Sequence, residues 1–262
     1  MNVFILAAGK GSRLGKISAN QPKCLTEICG KSLIKRNLTT FNNLNLNVLL
    51  IAGFAAEKLK PLGVQTIHNR DFDDTNMVWS LYQAIQELEN DFIICYGDIV
   101  VSPSTVATLL ESPFEFVVVS DRGWLEYWTR RFDEPLTDAE SFSINAIGNL
   151  VSVGQKAQNT NEIQGQYIGL IKVTGGARSQ FKKRLQQFCE DEETSEIAKK
   201  AYMTDFLQIL INEGVQIKPV FVNGGWIEID NPNDINAAIE SGRLQNIDNE
   251  LAGLGKSEFE KL

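Results

Sequence analysis

The sequence predicts an α/β fold with a mixed, mostly parallel sheet and helices on both of its faces. Three observations carry this. The first 120 residues alternate short, wholly apolar runs with segments of helical periodicity, the pattern of doubly buried strands and crossover helices. The first apolar run ends in a glycine-rich turn, "AAGKGSRLG". The chain has 262 residues, 43 % hydrophobic and 22 % charged, ordinary for a globular domain and long enough to bury a core without staples.

The elements follow in order. "VFIL" at 3–6 reads as a fully buried strand. Residues 31–45 place Ile34, Leu38, Phe41 and Leu44 at helical spacing. "VLLIAG" at 48–53 is a second buried strand that Gly53 ends. Residues 76–88 put Met77, Leu81, Ala84, Ile85 and Leu88 on one helical face. "FIICYGDIVV" at 92–101 is a strand interrupted by Gly97-Asp98, and Ser102 or Ser104 is placed to cap a short helix through Leu110. "FEFVVVS" at 114–120 is again a strand.

After Asp121 the pattern changes. Residues 122–166 are richer in charge, Trp, Gly and Asn, with weak alternating strands near 141–153, and read as a small inserted lobe. "YIGLIKV" at 167–173 returns to a buried strand. Helices are expected at 178–189 and 202–213, the second closed by Gly214. "VQIKPVFV" and "WIEID" are short strands, and Asn231-Pro232 starts a helix with Asp234 in its first turn. The main domain is placed at 1–245. Residues 246–262 read as a C-terminal tail or packing arm.

Composition narrows the function. A net charge of -8 argues against nucleic acid or an anionic membrane as partner, since both need a basic surface. Cys24, Cys29, Cys95 and Cys189 form no CxxC pair and His68 stands alone, so a zinc site is not expected. Free thiols suit the cytoplasm. No apolar stretch reaches membrane-spanning length, and the first residues lack the basic region of a signal peptide.

A strand, a glycine turn and a helix together make a generic phosphate cradle. A dinucleotide fingerprint fails here because Leu14 stands where its third glycine belongs and no acid follows "IAGF". A Walker loop fails because five residues separate Gly9 from Gly15 and Ile17 follows Lys16. A third pattern fits: L-A-A-G-x-G-x-R-L, then P-K. It is present as Leu6-Ala7-Ala8-Gly9-Lys10-Gly11-Ser12-Arg13-Leu14 and Pro22-Lys23. In this the chain resembles the nucleotidyltransferases that make nucleoside-diphosphate sugars and alcohols, over about residues 2–242.

The resemblance implies a Rossmann-like fold of the nucleotide-diphospho-sugar transferase type. It also implies attack by a phosphate oxygen on the α-phosphorus of a nucleoside triphosphate, with pyrophosphate leaving. Leu6, Ala7, Ala8, Gly9, Gly11 and Ser12 would line the phosphates, whose approach no large side chain blocks. Arg13 would hold the leaving pyrophosphate and Lys23 would sit between the α-phosphate and the incoming phosphate. The nucleophile is already an anion, so positioning and charge suffice and no general base is needed.

Such a gathering of anions needs a cation. Asp98 and Asp230 each end a strand, and Glu228 faces the same side as Asp230. The resemblance makes Asp98 and Asp230 the ligands of Mg²⁺, although both also stand where they could cap a following helix. Asn76 and Ser80, one turn apart at a helix start, face the nucleotide in this reading, with Gly53 on the other wall of the base pocket. Asn76 also suits a plain helix cap.

The pattern from Asn76 to Leu81 looks like the phosphocholine cytidylyltransferase branch, which makes CTP the expected nucleotide. Its members activate small phosphorylated alcohols, phosphonates or phosphorylated amino-acid amides. Trp124, Tyr127, Trp128, Tyr167 and Trp226 are candidates for a wall over an acceptor amine. Arg131 and Lys156 are candidates for the acceptor's phosphate, and Glu228 is placed on the acceptor side. Asp138 and Glu140 would meet an amine or pair with Arg131. Rival readings are a sugar-1-phosphate nucleotidyltransferase, an NAD(P)-dependent oxidoreductase and a non-catalytic nucleotide sensor. The oligomeric state stays open, a homodimer included.

Overall fold

The computed structural model describes the backbone of residues 1–259 and the side chains of residues 1–254. Its strands are β1 (Asn2–Ala7), β2 (Glu27–Ile28), β3 (Lys31–Ser32), β4 (Asn47–Ala52), β5 (Gln65–His68), β6 (Phe92–Tyr96), β7 (Ile99–Val101), β8 (Phe116–Asp121), β9 (Glu140–Ile144), β10 (Leu150–Lys156), β11 (Gln166–Val173), β12 (Lys218–Val222) and β13 (Trp226–Glu228). Its α-helices are α1 (Leu33–Asn43), α2 (Met77–Tyr82), α3 (Pro103–Glu111), α4 (Trp124–Arg131), α5 (Gly175–Glu190), α6 (Ser195–Lys200), α7 (Met203–Asn212), α8 (Pro232–Glu240) and α9 (Arg243–Phe259).

Seven strands form the central sheet in the order β12-β8-β11-β6-β1-β4-β5. Six run parallel, and β11 alone runs antiparallel to both of its neighbours. The mixed, mostly parallel sheet read from the sequence is therefore present. Successive residues of β1 feed opposite layers: Val3 and Ile5 pack into one core and Phe4 and Leu6 into the other. α1, α3 and α9 contribute Ile34, Phe41, Val106, Leu109 and Ile247 to the first core. α2, α5 and α7 contribute Val78, Leu81, Phe181, Leu185 and Phe206 to the second. Both faces are covered, which is why the strands read as unbroken apolar runs.

Chain order reverses at β1. The crossover through α1 places β4 on one side of it, and β6 arrives on the other. In open α/β sheets such a reversal opens a crevice at the carboxyl ends of the strands, where ligands bind.

Three local differences from the sequence reading matter. The run at 92–101 splits at Gly97-Asp98. Its first part joins the central sheet, while β7 pairs antiparallel with β13 in a separate two-stranded sheet. The helix expected over 76–88 breaks after Tyr82 and continues as a short 3-10 turn, Ile85–Glu87. Between β8 and β11 the chain leaves the sheet to form α4 and the β9-β10 ladder. α7 packs on that ladder.

Helix starts follow the expected chemistry. Ser102 Oγ accepts from the Thr105 amide at 3.1 Å. Asn231 and Asp234 form a reciprocal capping box with Pro232 in the first turn. Of the stretch 246–262, Ile247 and Leu251 are buried and Asp248 pairs with the buried Arg36. Residues 260–262 lie outside the described residues.

Candidate active site at the carboxyl ends of the parallel strands

The glycine-rich loop leaves β1 at the switch point. Ala8 O accepts from the Phe54 amide at 3.0 Å, tying the loop to the end of β4. Gly11 is left-handed, with φ 62°, and a Cβ there would lie 2.9 Å from the Lys23 Cβ. The loop thus lies directly against Lys23. Ser18 Oγ donates to Gly11 O at 2.7 Å, and the buried Leu14 anchors the following 3-10 turns. The amides of Gly9, Lys10 and Gly11 donate to no protein acceptor among the described residues, which leaves a row of donors at the crevice.

Asp98 reaches the same place because Gly97 lets β6 approach β1. The Gly97 amide donates to Leu6 O at 3.0 Å, and a Cβ there would sit 2.5 Å from that oxygen. Asp230 arrives through the small sheet. β7 and β13 pair Ile99 with Glu228, and the Ile229 amide donates to Asp98 O at 3.0 Å. Lys23 Nζ lies between the two carboxylates, 2.8 Å from Asp98 Oδ2 and 2.5 Å from Asp230 Oδ1. Arg13 pairs with the other oxygen of Asp230 and is otherwise exposed. Burial disfavours the Lys23 ammonium, but Asp98 and Asp230 outweigh it and hold its pKa above the ordinary lysine value.

These four side chains stand where two hollows meet. The first is a cleft of about 230 Å³ lined by residues 6–9, 11–13, Lys23, Phe72, Thr75, Asn76, Ser80 and Tyr202. The second is a chamber of about 370 Å³. Its walls hold Tyr96, Trp128, Asp138, Glu140, Gln166, Tyr167, Trp226 and Glu228. Arg13, Asp98 and Asp230 border both hollows.

Leu6, Ala7, Ala8, Gly9, Gly11, Ser12, Arg13, Lys23, Asn76, Ser80, Asp98 and Asp230 all border the cleft. Asn76 also acts as a cap: its Oδ1 accepts from the Met77 amide at 2.8 Å, and its Nδ2 donates to Lys200 O. Tyr167, Trp226 and Glu228 border the chamber. Five expected residues do not line either hollow. Gly53 lies beneath Phe72, whose Cβ would be 2.5 Å from a Cβ at 53, so the phenyl ring forms that wall instead. Trp124 and Tyr127 are buried against Trp128 in the core. Lys156 is exposed, at the end of β10.

Arg131 is the fifth, and its guanidinium is already paired with two acids. Nε donates to Asp234 Oδ1 at 2.9 Å, Nη1 lies 2.6 Å from Glu228, and the group stacks 4.7 Å above Trp128. Asp234 Oδ2 in turn accepts from the Asp230 amide at 2.7 Å. Arg131 therefore braces two acids of the site from behind, and it is not free for a phosphate.

Phe72, Tyr202 and Gln166 were not singled out in the sequence. Phe72 lies in a loop without periodicity. Tyr202 stands just before α7, more than a hundred residues from every other cleft residue but Asp230. Gln166 begins β11 just before its apolar run.

Glu140 is pushed up to about 7 by burial and by Asp138, Glu228 and Asp205. Glu228 is also pushed up to about 7 by burial, against the pull of Arg131. The chamber is rich in acids with only part of their charge neutralised.

Comparisons with known proteins show the family and the fold. Residues 3–160 match the model of the MobA-like NTP transferase domain. The CTP:phosphoglutamine cytidylyltransferase of Campylobacter jejuni is 34 % identical over 92 % of this chain and 100 % of its own length. The choline-phosphate cytidylyltransferase of Streptococcus pneumoniae is 33 % identical over 36 % of this chain and 43 % of its own. The solved structure of the CTP:phosphocholine cytidylyltransferase from Streptococcus pneumoniae superposes with a TM-score of 0.70 at 19 % identity, covering 91 % of this chain and 97 % of that one. The last likeness concerns the fold alone.

Proposed function

The chain belongs to the MobA-like NTP transferase family, and on that premise we propose that it joins the cytidylyl group of CTP to a small phosphorylated acceptor. The observation that carries this reading is the placement of Arg13, Lys23, Asp98 and Asp230 at the junction of a donor-lined cleft and a separate chamber. Two substrates that must react across one phosphorus atom need such a junction. The similarity to a cytidylyltransferase over 92 % of the chain supports CTP as the nucleotide.

In this mechanism the triphosphate lies along residues 8–13, with loop amides donating to its oxygens. The acceptor's phosphate enters from the chamber side. One of its oxygens attacks the α-phosphorus, the bond from that phosphorus to the bridging oxygen breaks, and pyrophosphate departs toward Arg13. Lys23 moves its charge from the carboxylates to the phosphoryl oxygens as they approach. No proton needs to be removed from the nucleophile, so neither cleft nor chamber requires a general base.

A divalent cation fits the carboxylates. Asp98 Oδ1 is buried without a hydrogen-bond partner and the Asp230 carboxylate lies across Lys23 from it. Mg²⁺ favours one or two carboxylates with phosphate oxygens completing its shell. Asp98 and Asp230 would hold it, and when bound it would offset charge on the triphosphate.

A sugar phosphate is the second reading within this family, and the chamber argues against it. A sugar needs several hydroxyl partners of both donor and acceptor type, whereas the chamber presents acids and aromatic edges. The test is a matrix of pyrophosphate release. CTP, UTP, dTTP, ATP and GTP are each paired with phosphocholine, phosphoethanolamine, 2-aminoethylphosphonate, phosphorylated glutamine and several sugar 1-phosphates. Release with CTP and a small phospho-acceptor supports the proposal, and release with sugar phosphates alone overturns it.

A further inference from the structure

The wall of the cleft from Phe72 to Ser80 is organised around a residue that does not line the cleft. Asn69 directly follows β5, its backbone amide donates to Ala52 O at 2.8 Å, and its side chain is wholly buried. Its Oδ1 accepts from the Asp71 amide at 3.0 Å. A backbone N–H can only donate, so the oxygen of the Asn69 amide faces it and the nitrogen faces the other way. Both N–H bonds of that nitrogen are spent inside the wall. Nδ2 donates to Thr75 Oγ1 at 2.9 Å and to Ser80 Oγ at 3.0 Å. Thr75 and Ser80 both border the cleft.

This arrangement fixes what the two hydroxyls offer. Thr75 Oγ1 gives its own proton to Asp71 O at 2.7 Å, so only a lone pair remains for a ligand. Ser80 Oγ accepts from Asn69, and its own proton has no protein acceptor among the described residues. Toward the cleft it is a donor. A hydroxyl ordinarily rotates to donate or accept as its partner requires. Here one buried amide removes that freedom and leaves an acceptor and a donor held on the same nitrogen.

The edge of a pyrimidine base distinguishes such a pair. Cytosine carries an exocyclic amine, a donor, beside the bare ring nitrogen N3, an acceptor. Uracil carries a carbonyl beside N3–H, the reverse order. Cytosine matches Thr75 and Ser80 in turn. Uracil sets oxygen against oxygen at Thr75 and leaves the Ser80 proton unmatched. A site built to hydrogen-bond one pattern rejects another because its own buried groups go unpaired. The glycine-rich loop borders the same cleft, so a nucleotide with its phosphates along that loop has its base left to meet this wall.

We propose that Asn69 is a positioning residue for base selection: it holds Thr75 as an acceptor and Ser80 as a donor, and so favours cytosine over uracil. This rests on the reading of the cleft as the nucleotide site.

The probes are α,β-methylene-CTP and α,β-methylene-UTP, whose binding to the full chain with Mg²⁺ is measured calorimetrically and needs no acceptor. The readout is the ratio of their dissociation constants. The parent is expected to favour the CTP analogue by on the order of tenfold or more. Asn69→Asp keeps the shape and reverses the polarity. A carboxylate surrounded by the Asp71 N–H and two hydroxyls stays ionised, both hydroxyls donate to it, and Ser80 becomes an acceptor toward the base. The added charge weakens both analogues alike, while the ratio is expected to fall to about threefold or less. Ser80→Ala is expected to lower the ratio as far, and in that background Asn69→Asp leaves it unchanged, a coupling that a merely structural role does not produce. Melting curves check that the variants remain folded. If Asn69→Asp does not fold, Ser80→Ala and Thr75→Val carry the test, and a ratio unchanged in both overturns the inference. A folded Asn69→Asp protein with the parent's ratio also overturns it, as does a parent that binds both analogues equally. Tighter binding of the UTP analogue by the parent, or binding of neither, overturns the functional reading beneath it.

Discussion

Gly97→Ala tests whether the approach of two strands sets the reaction geometry. The added Cβ would lie 2.5 Å from Leu6 O and 3.1 Å from the Ala7 Cα, while ordinary contact begins at 3.4 Å. These are backbone atoms of β1 and cannot rotate away. The end of β6 must therefore retreat from β1 by about 0.9 Å, the difference 3.4 − 2.5. Overpacking of this kind costs roughly 1–3 kcal/mol. For a chain of this size that corresponds to a fall in Tm of about 2–12 °C. The activity loss should be larger, because Asp98 is the next residue and moves with the strand. Misplacement by about 1 Å costs on the order of a hundredfold in rate. The assay is steady-state pyrophosphate release, with Tm measured on the same preparation. Gly9→Ala is the control for stability, since a Cβ there meets nothing within 4 Å. A Gly97→Ala protein with kcat within threefold of the parent would refute the reasoning.

Three other outcomes are expected. Asp98→Asn should keep the fold and lose at least a thousandfold in turnover, since it removes a charge from the junction; near-normal Mg²⁺-dependent pyrophosphate release would sink that role. Arg131→Met should be strongly destabilising, because it leaves the fully buried Asp234 and the neighbouring Glu228 without their cation. Breaking a buried pair costs about 3–5 kcal/mol, readable as a lower urea midpoint, and a midpoint unchanged within error contradicts the bracing role. Glu140 gives a pH dependence with a defined sign. Its folded pKa of about 7 lies above the ordinary carboxyl value, so its contribution to stability is present below the ordinary value and is lost as pH rises through 7. Glu140→Gln should therefore flatten the fall in urea midpoint between pH 5 and 8, and a fall as steep as the parent's would rule this out.

Much of the central sheet could be read from local pattern. A strand buried on both faces must be apolar at every position, so β1, β4, β6, β8 and β11 stand out as runs. β5 was missed because it lies at the sheet edge and three of its four residues are polar and exposed. α4 was missed because its residues serve the lobe's core and the surface in a short span of eight. The loop residues of the cleft were legible because they are neighbours along one turn of the chain. Gly53 and Arg131 were misplaced for one shared reason. Each was assigned from its position in the chain, and each is claimed by a partner distant in sequence: Phe72 covers the first, and Asp234 with Glu228 holds the second.

The sequence by itself determined the layers of the fold and the glycine-rich loop that follows the first strand, because side-chain periodicity reports burial and a turn's geometry depends on adjacent residues. It also marked Asp98 and Asp230 as strand-end acids. Only the tertiary structure decided that these two meet across Lys23, since their meeting depends on the pairing of β7 with β13 and on the contact that Gly97 permits. It alone decided which acids of the chamber are neutralised and which aromatic faces are covered. Charge compensation and ring contacts are properties of distances in space, and distances between remote segments are written in no local stretch of the chain.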